Sequence, residues 1–160
     1  ETIQVVPFAR GIVADYLNTG IDVQYDLEFF DTPTVQECAI QGDERLLRRA
    51  VRNLIDNAMR HNGEGCKIAL SLDVEPSSML ALTVADNGRG CDTSRIGALM
   101  AQASTPDASY DAHGLGLTLV SRISIMHGGY VSFASEPGRG FTATMRIPIA
   151  IRQDEPSRAK

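Results

Sequence analysis

The sequence predicts a single α/β domain, and three observations carry that prediction. Stretches with apolar residues at helical intervals are interleaved with stretches in which apolar and polar residues alternate, the order expected of helices packed on a sheet. The joins between them carry glycine, proline, asparagine and aspartate, the residues that turn a chain. A chain of 160 residues at 43% hydrophobic content is enough for one sizeable core.

The elements follow in order. Val5 to Leu17 places Val5, Phe8, Ile12, Val13, Tyr16 and Leu17 at helical spacing, and Asn18-Thr19-Gly20 stops that helix. Ile21 to Phe30 sets Val23, Tyr25, Leu27 and Phe29 against polar neighbours and reads as a half-buried strand. Asp31-Thr32-Pro33 is a turn, and Thr34 to Ile40 reads as a second short strand. The central helix runs from Asp43, its N-cap, to Asn62, with Leu47, Ala50, Val51, Leu54, Ile55, Ala58 and Met59 as one apolar face. Cys66 to Val74 and Met79 to Ala85 are two strands joined through Glu75-Pro76-Ser77-Ser78.

Arg95 to Ala103 reads as a short helix, and Gln102 to Ala112 as a small, polar, mobile loop. A helix then runs from Gly114 to Met126, with Leu117, Val120, Ile123 and Ile125 facing inward, and His127-Gly128-Gly129 stops it. Tyr130 to Ser135 and Phe141 to Ile149 are strands around a Glu136 to Gly140 turn, and Gln153 to Lys160 is a polar tail. Residues 1–20 are read as a helical linker packed on the core, and 21–152 as the domain proper.

Charge and cysteine content narrow the function classes. A net charge of −5 argues against a general nucleic-acid footprint, while leaving room for a local basic phosphate site. Three cysteines without a CxxC pair read as reduced thiols of a cytoplasmic protein. No apolar run approaches the ~18 residues of a membrane helix, and no signal peptide is visible. His61, His113 and His127 are too scattered for a zinc site. The chain begins at Glu1 without a methionine, which reads as a piece of a longer protein.

Candidate chemistry sits in four stretches. On the central helix Asn53, Asn57, Arg60 and His61 line one edge beside the apolar face. Two carboxamides beside a cation suit a partly buried site for a polyanion and its metal; read alone, the edge is more simply a solvated flank. Asp86-Asn87-Gly88-Arg89-Gly90 ends a strand with a carboxylate placed to accept from an amine, though read alone the stretch is more simply a β-turn with Asp86 as its cap. Gly114-Leu115-Gly116-Leu117 opens a helix whose free N–H groups suit a phosphate. The third glycine of a dinucleotide fingerprint is missing there, so that reading is set aside. Gly138-Arg139-Gly140 is most simply a hairpin, with Thr142 just beyond it.

Taken in order, these motifs resemble the ATP-binding catalytic domain of sensor histidine kinases, in the superfamily shared with gyrase, the large heat-shock chaperone and MutL. The resemblance covers roughly Ile21 to Ile149. It implies a two-layer α/β sandwich, a mixed and mostly antiparallel sheet against helices, with ATP between the layers. It implies that Asn57 binds Mg2+, that Arg60 contacts phosphate and that His61 places its ring near adenine. Asp86 matches the aspartate that accepts from the adenine amine, with Gly88 and Gly90 shaping that wall. Gly114, Leu115, Gly116 and Leu117 match the second glycine box, and Thr142 is similar in place to the threonine after the third.

Asn53 stands where the superfamily's water-activating ATPases carry a glutamate, and an asparagine is no general base. The resemblance therefore implies transfer of the γ-phosphoryl to a histidine rather than hydrolysis. That histidine would lie N-terminal to Glu1 on a dimerisation domain, in a parent anchored in the inner membrane and paired with a response regulator. The sequence departs from the family in three places. Ile96 to Ala112 carries no Lys or Arg, Phe141 stands where Ser or Thr is usual, and Ala143 where phenylalanine is. The lid without cations favours the alternative of a degenerate nucleotide-binding regulatory module; Arg89, Arg95 and His113 are the nearest candidates for the γ-phosphate.

Overall fold

A computed structural model of the chain describes residues 1–20, 25–63, 65–90, 115–135 and 137–150. Strand β1 (Thr2–Gln4) leads into helix α1 (Val5–Asn18), followed by β2 (Asp26–Phe30), a 3-10 turn (Pro33–Val35), β3 (Ala39–Gln41) and helix α2 (Glu44–His61). Then come β4 (Lys67–Val74), β5 (Met79–Asp86), helix α3 (Leu115–Met126), β6 (Tyr130–Ser135) and β7 (Phe141–Pro148). The expected helix over Arg95 to Ala103, the loop to Ala112 and the tail from Gln153 lie outside the described residues.

Five strands form one sheet in the order β2-β4-β5-β7-β6. Only the β2–β4 pair is parallel, as it must be when α2 carries the chain between adjacent strands; the other pairs are antiparallel. The expected mixed sheet against helices is what the structure shows. Leu70, Leu72, Leu80, Leu82, Met145 and Ile147 point from the sheet into one core, where they meet Leu47, Val51, Leu54 and Ile55 of α2 and Val120 and Ile123 of α3. Helix α1 adds Val5, Phe8, Ile12 and Tyr16 to the same core.

Three expectations need correction. Thr34 to Ile40 is not a strand. Pro33 starts a 3-10 turn, and Asp31 Oδ2 holds it by accepting from Gln36 Nε2 at 2.6 Å, which leaves only Ala39–Gln41 extended. That short β3 pairs with β1, a strand not foreseen from the residue pattern, in a separate two-stranded sheet. Ile125 is 59% exposed, because two residues on a helix are about 200° apart and Ile123 already faces the core.

The helix ends follow their chemistry. Asp43 Oδ1 accepts from the N–H groups of Arg45 and Leu46 at 2.9 and 3.2 Å, satisfying two of the free donors at the start of α2. At the end of α3, Gly129 N donates to Ser124 O and Gly128 N to Ile125 O, the paired bonds of a Schellman cap.

Candidate nucleotide site

Helix α2 and the end of β5 build the candidate site between them. The apolar face of α2 lies on β4 and β5. The next edge of the helix carries Asn53 and Asn57, both half-buried, and the exposed Arg60. Neither carboxamide has a hydrogen-bond partner among the described residues, and none of their side-chain atoms is sealed from solvent. Asn57 therefore offers a free amide oxygen, a hard donor suited to Mg2+, while the remaining ligands would come from phosphate and water. No cluster of three His, Cys, Asp or Glu able to cage a metal occurs among the described residues. A single carboxamide fits a cation that arrives with its nucleotide. His61 closes α2, its side chain outside the described set.

Asp86 continues the core face of β5, two residues after Val84 and four after Leu82. Its Oδ1 accepts from Gly88 N at 2.9 Å, so the Asx-turn foreseen as one reading does form. The other carboxylate oxygen has no partner among the described residues and is left to accept from a ligand amine. The turn and the ligand contact are thus compatible uses of one side chain.

Asn62 and Asn87, which sequence reasoning passed over as turn residues, fasten this wall. Asn62 caps its own helix by donating from Nδ2 to Ala58 O at 2.8 Å, and its Oδ1 accepts from Arg89 N at 3.2 Å. The end of α2 is thereby bonded to the turn after β5. A Cβ at Gly88 would lie 1.7 Å from Asn62 Oδ1, so glycine is what lets this bond form. Asn87 extends the β4–β5 ladder one step: its N–H donates to Lys67 O, and its Oδ1 accepts from Lys67 N at 2.9 Å. Cys66 Sγ also donates to Asn87 Oδ1, and burial, with the Asp86 carboxylate nearby, pushes its thiol pKa up. A cavity of about 420 Å3 flanks this junction, bordered by Asn62, Cys66, Asn87 and Arg89 rather than by Asn57 or Asp86.

The Gly138-Arg139-Gly140 turn braces the same wall from the other side. Gly138 N donates to Arg89 O at 2.6 Å. Gly140 has φ +86°, and a Cβ there would sit 1.9 Å from Asp86 O, so the hairpin presses its backbone onto the end of β5. The register pairs Asp86 with Phe141 and Ala85 with Thr142. Phe141 therefore shares the helix-facing side with Asp86, while Thr142 lies on the opposite face; the strand does not bring Thr142 to the site. Alternation of Ala143, Met145 and Ile147 carries the signal that would have shown this. Leu117 is 6% exposed and belongs to the core. Leu115 and Gly116 open α3, Gly90 ends the described part of the turn with φ +65°, and Gly114 lies outside the described residues.

Residues 42–151 match the family described as histidine kinase-, DNA gyrase B-, and HSP90-like ATPase. The chain belongs to this family. It is 36% identical over 141 residues to sensor protein BasS of Escherichia coli K12, a match covering 88% of this chain and 37% of that protein. The chain thus spans well under half the length of this relative. Among solved structures it is similar to the catalytic domain of histidine kinase ThkA, with a TM-score of 0.75 and 18% identity over 92% of this chain and 94% of that one. Full-length ShkA in complex with AMPPNP gives a TM-score of 0.77 at 21% identity, over 95% of this chain and 31% of that one. At these identities the two structures speak to the fold.

Proposed function

We propose that this domain binds Mg-ATP and passes the γ-phosphoryl group to a histidine on another domain of its parent protein, as the catalytic part of a sensor histidine kinase. One observation carries the reading. Asn62 bonds the end of α2 to the turn after β5, which sets a helix edge bearing free carboxamides beside a strand end bearing a free carboxylate oxygen. Those are the groups a nucleotide needs at its two ends. Asp86 would accept from the adenine amine, with Gly88 and Gly90 keeping that wall free of side chains. Arg60 would meet the phosphates, beside the second glycine box at the start of α3. Asn57 Oδ1 would hold Mg2+, which when bound neutralises phosphate charge.

Asn53 supports transfer over hydrolysis, since it is unable to take a proton from water. The acceptor imidazole needs no such help. A ring nitrogen forms the N–P bond as the bond from phosphorus to the β–γ bridging oxygen breaks, and ADP leaves. The parent's acceptor domain and a response regulator are the partners this reading requires. No described helix is long and apolar enough to cross a membrane; the membrane anchor of the parent would lie elsewhere in it.

The test is to supply a separately made acceptor domain with radiolabelled ATP. Label should reach the acceptor histidine only when this chain and Mg2+ are present. Tight nucleotide binding without transfer would reduce the protein to a nucleotide-binding module. Steady phosphate release without an acceptor would make it an ATPase.

A further inference from the structure

His127 ties the two helices of the site together at the end away from the nucleotide. It is the first residue beyond α3, and its ring nitrogens are used in opposite senses. Nδ1 lies 2.7 Å from Ile123 O, one turn back in its own helix, and must donate to it. Nε2 lies 3.0 Å from Asp43 N and must accept, because that amide has only a proton to offer. The ring rests on Gly42, where a Cβ would come within 2.3 Å of Cδ2. Asp43 is also the N-cap of α2. One imidazole therefore joins the last turn of α3 to the first of α2.

We infer that His127 is a positioning residue that sets the axial register of α3 along α2, and through it the placement of the first turn of α3 relative to Asn57. The two helices pack against each other and run from this bond toward the site. Asn57 lies fourteen residues from Asp43, about 21 Å at helical rise. Packed helices move by sliding in small steps, so a bond at one end of the pair governs the other. The bulky apolar contacts between α2 and α3 set their spacing, whereas a hydrogen bond along the pair resists the slide.

The inference rests on the nucleotide reading for its consequence but not for its mechanics, so the experiment reads both. In the 160-residue chain, His127→Gln retains an acceptor long enough to reach Asp43 N, while His127→Asn keeps only the bond to Ile123. Gly42→Ala displaces the ring without changing it. Affinity for a fluorescent ATP analogue should fall roughly three- to tenfold in His127→Asn and Gly42→Ala, and recover in His127→Gln. Amide exchange without nucleotide should quicken at Asn57–His61 and Leu115–Val120 in the first two variants and not in the third. Thermal melts identify variants that fail to fold. Unchanged exchange at those far ends in folded His127→Asn and Gly42→Ala, or equal behaviour of Asn and Gln at 127, would overturn the inference. Absence of analogue binding in the unaltered chain would instead remove the nucleotide reading, while exchange still decides the role of His127.

Discussion

Helix α2 has two polar flanks, and they are treated in opposite ways. On the flank toward α1, polar side chains bond from one helix to the other. Tyr16 Oη donates to Asp56 Oδ1 at 2.6 Å, Arg48 meets both Asp15 and Glu44, and Arg52 meets Asp15 while stacking over the Tyr16 ring. On the other flank Asn53 and Asn57 are half-buried and unengaged among the described residues. Asp56 and Asn57 are chain neighbours, so the difference is one of facing and not of region. Water reaches the amide atoms of Asn53 and Asn57, so neither bears the cost of about 1–3 kcal/mol of a buried group without a partner. They can exchange that water for a ligand without breaking a bond inside the protein.

The largest expected effect separates the flanks most cleanly. Asn57→Ala should weaken Mg-dependent ATP affinity about a hundredfold, the ~3 kcal/mol upper end for an interaction with a charged group. Thermal stability should hold, since no protein partner is lost. Calorimetric titration with a non-hydrolysable ATP analogue, with and without Mg2+, makes the check. Unchanged affinity would end the assignment of Asn57. Asp56→Ala should do the converse. Losing the nearer of the phenol's two acceptors, with Arg52 O left at 3.3 Å, should cost about 1 kcal/mol, lowering Tm by roughly 2–4 °C, with nucleotide affinity unchanged. If both variants moved both quantities, the division of the helix into a structural and a binding flank would be wrong.

How far the sequence revealed this depends on the range of the forces involved. The apolar stripe of α2, the N-cap at Asp43 and the alternation in β4 and β5 are local patterns, and each was legible. So was the candidate edge of Asn53 and Asn57, because helical spacing alone places them together. Which flank is partnered was not legible, since Tyr16 is forty residues from Asp56. Asn62 was missed for the same reason: its meaning lies in a bond to Arg89, twenty-seven residues away. Strand β1 is three residues long and has no period to read; it is extended only because β3 lies beside it. Thr142 is a different failure. Motif position placed it at the site, whereas the strand's own alternation placed it on the far face.

A smaller effect probes the partnered flank through pH. Burial, then the hydrogen bond and negative charge of Asp56, push the Tyr16 phenol well above its ordinary pKa. A group whose pKa is raised on folding stabilises the fold fully below its unfolded value, about 10 for tyrosine, and loses that contribution as pH rises beyond it. Tyr16→Phe should therefore cost about 1 kcal/mol near neutral pH. The gap to the unaltered chain should narrow in urea melts taken above about pH 10. A gap constant up to about pH 11 would mean that burial and Asp56 do not hold the phenol neutral in the fold.

The smallest expected effect asks whether lacking a partner is enough to mark a binding residue. Thr142 is half-buried and its hydroxyl, like the Asn57 carboxamide, has no hydrogen-bond partner among the described residues. It differs in direction: it pairs with Ala85 and Ala134 on the sheet face turned away from the helices. Water reaches that face, so its hydroxyl has no need of protein or nucleotide. Thr142→Val should leave ATP affinity within about twofold and stability within ~0.5 kcal/mol, the range of ordinary surface changes. A tenfold loss of affinity would show that the start of β7 turns its side chains otherwise in the nucleotide complex, and would return Thr142 to the site. Equal affinity would leave orientation toward the cleft, and not want of a partner alone, as the property that singles out Asn57.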